Sequence, residues 1–406
     1  LVMALSLVAC GGSSDSSDAA EEETPVEEGT ESTEETALKV GMICVHDTNS
    51  GYDVAHIDGL TAACEELGID VASQVIFKYN GAEDETCADA AVDLAEEGCN
   101  IIISDSYGHQ SYMMQVASEY EDVIFVAATG DTAAPSGLAN LKNLFPQTFE
   151  SRYVSGVVAG MKLKELLDTG ALTKEIQPDS FDKDGNVKVG YVGAYAFAEV
   201  ISGYTAFFLG VRSIVPNVVM EVNYTNSWSD VGMEAAAAEA LIANGAVIIC
   251  QHADTTGAPS ATQKLLNSGK ICYSVGYNID MLETAPTAAL TSATNVWEKY
   301  YEYAFETVMK GGDVDADWAK GYSADAVAIT ELGASCAAGT AEAIEAVKAL
   351  IISGEWDVFS GVKLEIAADG TITKVDAPLV DNAGNEIVAA GGASVEDGVI
   401  TGTMNY

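Results

Sequence analysis

The 406-residue sequence predicts an α/β protein of two lobes, each a doubly wound parallel sheet covered by helices, joined by a hinge. Three observations lead there. Short apolar runs alternate with helical periodicity from Leu38, the alternation restarts after a polar loop at 178–186, and the chain is too long for one ordinary compact domain. Hydrophobic residues make up 48 % of the chain, enough for each half to bury its own core.

The elements follow in order. LKVGMICV reads as a strand, 53–67 as a helix closed by Gly68, VASQVIF as a strand, 83–97 as a helix, NIIIS as a strand, 109–120 as a helix and VIFVAA as a strand. The second series gives VKVGYVGAY, a helix over 199–214, VVMEVNYT, a helix over 230–244 stopped by Asn244 and Gly245, AVIICQ, a helix over 258–268 and KICYSVGY. LTSA at 290–293, a helix over 294–310 ended by Gly311 and Gly312, a helix over 341–353 and a β-rich tail from 361 complete the pattern. The expected division is 38–147 with 285–318 for the first lobe and 148–284 with 319–358 for the second. Residues 359–406 form a β-rich segment packing on the lobes.

Ahead of the lobes, residues 1–10 read as the end of an apolar lipoprotein signal segment. Small residues before Cys10 suit a lipoprotein signal peptidase, which would leave Cys10 as the lipidated N-terminus. No basic stretch precedes the apolar residues, so the sequence reads as truncated at its start. Residues 11–37 carry ten carboxylates and no base among Gly, Ser, Thr and Ala, the composition of a disordered acidic tether.

Charge excludes function classes. Sixty-two Asp and Glu against 18 Lys and Arg give a net charge of −44, which repels nucleic acid and anionic membrane surfaces. Arg152 and Arg212 are the only arginines, so a phosphorylated or multiply anionic ligand lacks the usual fork-shaped clamp. Beyond Cys10, seven cysteines stand at 44, 64, 87, 99, 250, 272 and 336, an odd number that cannot all pair internally; they read as buried free thiols.

Ligands of open parallel sheets sit outside the carboxyl ends of the strands. The loops leaving those ends carry His46, Tyr52, Asp53 and His56, then Tyr107 and His109, then Tyr195 and Phe197 ahead of Glu199. Later loops add Trp228 and Asp230, His252 and Asp254, and Tyr277, Asn278 and Asp280. Facing sets of such loops make a slot for a flat molecule. Among enzyme signatures, GxSxG, HExxH, Walker A and GxGxxG are all missing. Asp182–Asn186 opens like a calcium loop, but Gly185 stands fourth and Gly193 takes the place of the bidentate Glu, so it reads as a surface turn. No cofactor and no metal set is expected.

Several short motifs resemble the basic membrane protein (BMP) family of ABC-transporter substrate-binding lipoproteins, and its purine-associated branch. They are GYDVAHIDG (51–59), SYG (106–108), FESRYVSGVVAG (149–160), FAEVISGYTAFFLGVRSIVPN (197–217), TNSWSD (225–230), QHADTTG (251–257), VGYNIDM (275–281) and ATNVWEKYYEY (293–303). The resemblance implies a type I periplasmic-binding fold and ligand capture without chemistry. It implies a permease and ATPase as partners, a monomer held at the extracytoplasmic face of the membrane by its lipid, and a purine base or nucleoside as ligand. Carried onto this sequence, it places Tyr52, Asp53, His56, Tyr107, Phe197, Glu199, Trp228, His252, Asp254, Asn278 and Asp280 around that ligand. Asp53, where the family usually has an uncharged residue, and Thr255-Thr256-Gly257 depart from its pattern and leave ligand identity open. A sugar or other polar ligand, a surface sensor without a transport role and a nucleoside hydrolase are the alternatives. The hydrolase needs a metal cluster or acid–base pair that the sequence does not offer.

Overall fold

A computed structural model describes residues 38–394 except Ala368 and Asn382. Cys10, the tether and residues 395–406 lie outside the described residues.

The first series folds as β1 (Val40–Ile43), α1 (Gly51–Leu67), the short turn α2 (Val71–Gln74), β2 (Val75–Lys78), α3 (Glu85–Glu96), β3 (Ile101–Ser104), α4 (Gln110–Ala117), β4 (Ile124–Ala128), α5 (Ala133–Ser136) and β5 (Leu141–Leu144). Local chemistry sets the ends. Ser50 caps α1 by accepting from the Asp53 amide, and Gly68 closes it at φ 71°. VASQ, expected in a strand, is helical instead because the Asp70 carboxylate accepts from the Ala72 amide and starts a turn.

The long helix α6 (Thr148–Asp168) leads into the second series: β6 (Val187–Gly193), α7 (Ala198–Ile214), β7 (Val218–Tyr224), α8 (Val231–Ala243), β8 (Ile248–His252), α9 (Gly257–Asn267), β9 (Tyr273–Tyr277) and β10 (Ala289–Asn295). Then come α10 (Glu298–Met309), β11 (Asp317–Trp318), β12 (Val327–Ile329), α11 (Thr340–Ile352), and the hairpins β13 (Val362–Ile366) with β14 (Ile372–Asp376) and β15 (Leu379–Val380) with β16 (Glu386–Val388).

Two six-stranded sheets result, in orders β11-β5-β4-β3-β1-β2 and β12-β10-β9-β8-β6-β7. Pairing is parallel except for β12 on β10. This is the two-lobed α/β periplasmic-binding architecture. Residues 289–295, expected in the first lobe, pair with β9 and β12 in the second sheet. The strand runs to Asn295, so α10 begins at Glu298 rather than near 294. The chain crosses between sheets at 144–148, 295–298 and 318–327. Amides of Asn143, Phe145 and Gln147 donate to carbonyls of Ala316, Trp318 and Lys320, lacing two of the crossings together. The β13–β14 hairpin packs on α7, with Leu364 and Ile366 in the second lobe's core.

The pair α6 and α7 is the backbone of that core. At their crossing a Cβ on Gly156 would stand 2.1 Å from the Phe207 carbonyl oxygen and one on Gly210 2.2 Å from that of Tyr153, so only glycine permits this approach. All seven cysteines of the described body are free, and all but half-buried Cys336 are buried. The Asp182 loop is a turn: its carboxylate accepts from the amides of Asp184 and Asn186 and from the Asn186 side chain.

Candidate functional site

Between the lobes lies a narrow cavity, about 310 Å³ when its openings to solvent are counted. Val45, Tyr52, Asp105, Ser106, Tyr107 and Thr129 wall it from the first lobe, and Glu199, Trp228, His252, Asp254 and Tyr277 from the second. These residues stand at the carboxyl ends of parallel strands, in the loops that leave them or, as Tyr52 and Glu199 do, in the first turn of the following helix, because helices covering both sheet faces leave that edge as the open one. The lobes meet over the cavity. Gly51 donates its amide to the Asp254 carbonyl at 3.2 Å, and the rings of Tyr107 and Phe197 sit 5.8 Å apart.

The aromatic wall is continuous. Phe197 stacks on Tyr195 at 5.1 Å, and Trp228 meets Tyr195 edge-on at 5.3 Å. The Trp228 Nε1 and the Tyr277 hydroxyl are buried without a hydrogen-bond partner, a costly state for polar groups and one a ligand can relieve. Thr129, which is β-branched, holds a left-handed φ of 56°; backbone strain of this kind concentrates at binding sites.

Acids line the cavity in unusual ionisation states. Burial pushes Glu199 up to about 7, with the Arg152 charge acting the other way. Asp254 is raised well above the carboxylate range by burial and by Glu234, Asp53 and Glu199. Burial and the Arg152 charge hold His252 well below its ordinary value, so a neutral imidazole sits with Nε2 3.4 Å from the Glu199 carboxylate. Asp105 is raised by burial and by Asp53, its close neighbour. Asp53 is lowered: although burial opposes this, hydrogen bonds from His46 and Ser50 stabilise its charge. The pair therefore favours a proton on Asp105 and charge on Asp53. Cys44 completes a buried trio with them, and burial keeps its thiol protonated.

Beneath the second lobe's wall runs Arg152, fully buried. Its guanidinium stacks 3.8 Å from the centre of the Tyr277 ring and donates to the Gln251 carbonyl at 2.6 Å. Sequence reasoning weighed this arginine as a clamp and missed its place under the site. Asp105 and Tyr277 were likewise absent from the expected set. Tyr277 stands among the strand-end residues of the sequence but closes a largely buried strand, so nothing there separates wall from core, while Asp105 follows an apolar strand and shows its role only through its neighbours.

The remaining expected residues fall in layers. Tyr52, Tyr107, Glu199, Trp228, His252 and Asp254 reach the cavity wall, and Phe197 lines an adjoining opening of about 1750 Å³. Asn278 stands behind Asp254 and donates to its Oδ1 at 3.0 Å. Asp53 accepts from the His46 amide at 2.8 Å and supports the first loop from behind. His56 lies one helical turn beyond Tyr52, stacked 3.8 Å from Trp297 and bonded to the Tyr301 hydroxyl, and burial lowers it to about 3. Asp280 is the clear displacement. The left-handed turn at Asn278, φ 66°, carries the chain away, and Asp280 is exposed with its carboxylate accepting from the Leu282 amide.

The chain that builds this two-lobed cleft matches a family model over residues 38–359, that of the PnrA-like ABC transporter substrate-binding proteins, Bmp. The chain belongs to the Bmp family. Bmp proteins are extracytoplasmic, take up small molecules and hand them to a permease and ATPase; they are not enzymes. No helix among the described residues is long and apolar enough to cross a membrane. This Bmp chain is 31 % identical over 278 residues to a purine-binding protein of Brucella abortus (strain 2308), covering 68 % of this chain and 70 % of that one. A Haloferax volcanii protein named as an ABC transporter glucose-binding protein is 26 % identical over 72 % of this chain and 67 % of its own length. A solved solute-binding protein of an ABC transporter from Aeropyrum pernix K1 shares the fold at a TM-score of 0.62 and 16 % identity, over 80 % of this chain and 93 % of that one. One from Conexibacter woesei does so at 0.60 and 19 %, over 79 % and 98 %.

Proposed function

We propose that this Bmp protein captures an uncharged purine base or nucleoside in the interlobe cavity and delivers it to its importer while held at the membrane by a lipid on Cys10. The observation that carries the reading is the cavity wall itself, which joins rings to carboxyl groups from both lobes and has no Lys or Arg among its lining residues. A base placed against Trp228 or Tyr107 gains on the order of 1–3 kcal/mol per stacking partner. Asp254 and Glu199 supply hydrogen bonds to ring nitrogens, exocyclic amines or ribose hydroxyls. Contacts to both lobes favour the closed form, which the permease reads.

The Brucella relative's name supports a purine, and the Haloferax relative's name makes a sugar the second reading. Mass spectrometry of the ligand carried through native purification, followed by calorimetry with that compound, separates them. A purine supports the proposal; a hexose, with no purine binding, overturns it. For the anchor, Cys10→Ala is expected to move the protein to the soluble fraction with ligand affinity intact, and unchanged membrane retention contradicts the lipid.

A further inference from the structure

A second cavity lies in the second lobe away from the cleft, between the C-terminal half of α7, Tyr153 of α6 and the β13–β14 hairpin. It is a pocket of about 170 Å³, open to solvent on one side. Tyr153, Leu209, Trp356, Leu364, Val375 and Leu379 give it apolar walls. Two cations, Arg212 and Lys363, stand among them. The Trp356 ring is fixed by its Nε1 donating to the Val362 carbonyl at 2.6 Å, so the wall is built rather than collapsed.

The charges are what need explaining. Acids outnumber bases 62 to 18 in this chain, and other lysines such as Lys142, Lys162 and Lys264 each lie within an ion pair. Arg212 and Lys363 do not. Among the described residues neither cation forms an ion pair: the Arg212 guanidinium lies 5.5 Å from the centre of the Phe208 ring, and Glu365, the one acid on the wall, is exposed and pairs with neither. Burial, with the Arg212 charge nearby, holds the Lys363 ammonium below the usual lysine range, so the two cations feel each other, and among the described residues neither is paired with a carboxylate. An anion between them would remove that repulsion, and a guanidinium is shaped to grip an oxyanion.

We propose that this cavity is a second binding site, for a small amphipathic anion whose apolar body lies on Trp356 and Tyr153 and whose acidic head sits between Arg212 and Lys363. It is independent of the cleft. Arg212 lies near the far end of α7 from Glu199, about 20 Å away at 1.5 Å per residue. A free carboxylate and the head and chain of an anionic lipid share this chemistry.

Calorimetric titration of the full chain with decanoate tests the site, with decanol and acetate as the halves lacking charge or tail. Decanoate is expected to bind at least ten-fold more tightly than either half. Arg212→Gln with Lys363→Gln should weaken it at least ten-fold, while Trp228→Ala in the cleft leaves it unchanged. Lys363→Glu should turn the preference from decanoate to decylamine, a readout that unfolding cannot mimic. Flotation with phosphatidylglycerol vesicles that is lost in the same double variant assigns the head to a lipid; decanoate binding without flotation assigns it to a free anion. Decanoate binding no tighter than decanol, or unchanged in the double variant, or abolished by Trp228→Ala, overturns the proposal.

Discussion

Asn278 donates through Nδ2 to Oδ1 of Asp254 at 3.0 Å, with both side chains buried at the ends of neighbouring strands. The amide thereby orients the carboxyl and leaves its second oxygen for a ligand. Asp254→Asn is expected to cost most for ligands that present a hydrogen-bond donor there and to shift selectivity. Asn278→Ala should weaken every such ligand by roughly ten-fold, because Asp254 loses its fixed geometry. Calorimetry over adenosine, inosine, guanosine and their bases reads both. Loss of thermal stability with intact affinity in both variants would remove the pair from the site.

Trp228 has a different task. Its half-buried indole lines the cavity beside Tyr195 and Phe197, so Trp228→Ala should weaken all purines alike, by on the order of 1–3 kcal/mol, with selectivity retained. A large change in preference among purines would show that the indole reads the base edge instead.

The two arginines predict discrimination against phosphate. Arg152 is buried under Tyr277 and Arg212 lies outside the cleft, so a nucleoside 5′-phosphate brings charge to a cavity of carboxyl groups with no cation at its wall. A nucleoside should bind at least a hundred-fold more tightly than its monophosphate in parallel titrations, as expected for a desolvated charge without a partner.

Stability should depend on pH in a direction set by the buried acids. Glu199 and Glu234 rise from 4.5 to about 7, mainly through burial, so between those values the folded protein holds protons that the unfolded chain releases. Stability from these groups is therefore complete below about pH 4.5 and declines as pH rises through about 7. Asp53 acts oppositely: its lowered value adds stability that is lost in acid. The ligand-free melting temperature should peak near about pH 5 and fall toward about pH 8, and Glu199→Gln should flatten that fall, removing on the order of 2 kcal/mol of pH dependence. A melting curve that rises steadily from pH 5 to 8 would contradict the burial argument.

Legibility in the sequence followed contrast. Strands such as NIIIS and AVIICQ are apolar runs between turn signals, and their sites follow from the strand-end rule, which located Tyr52, Tyr107, Trp228 and Asp254. Helix α6 offered no such contrast: 16 of its 21 residues are buried on all sides, so no polar face marks its period. β5, LKNL, carries a Lys and an Asn that look like loop but are buried, Lys142 in an ion pair with Asp313 and Asn143 accepting from the Ala133 amide. At the site, the strand-end rule gives position along the chain but not depth. His56 and Asp53 share a helix start with Tyr52 and face inward, while a single left-handed residue throws Asp280 out to solvent.

Closure gives the last prediction. Gly51 is the first residue of α1 in the first lobe, and its amide donates to the Asp254 carbonyl of the second at 3.2 Å. A Cβ there would stand 3.2 Å from that oxygen and 3.2 Å from Ile279, so alanine is borderline, whereas leucine must push the lobes apart. The backbone at Gly51 is not left-handed, and leucine is a better helix former, so neither lobe's own fold opposes Gly51→Leu. The open form still offers each half of the site, but the closed fraction falls, and apparent affinity falls with it in proportion. Gly51→Leu should therefore weaken ligand binding at least ten-fold through faster dissociation, keep the ligand-free melting temperature within a few degrees, and show a larger radius of gyration by X-ray scattering with ligand present. Parent-like affinity in this variant would mean that the Gly51–Asp254 contact plays no part in holding the ligand.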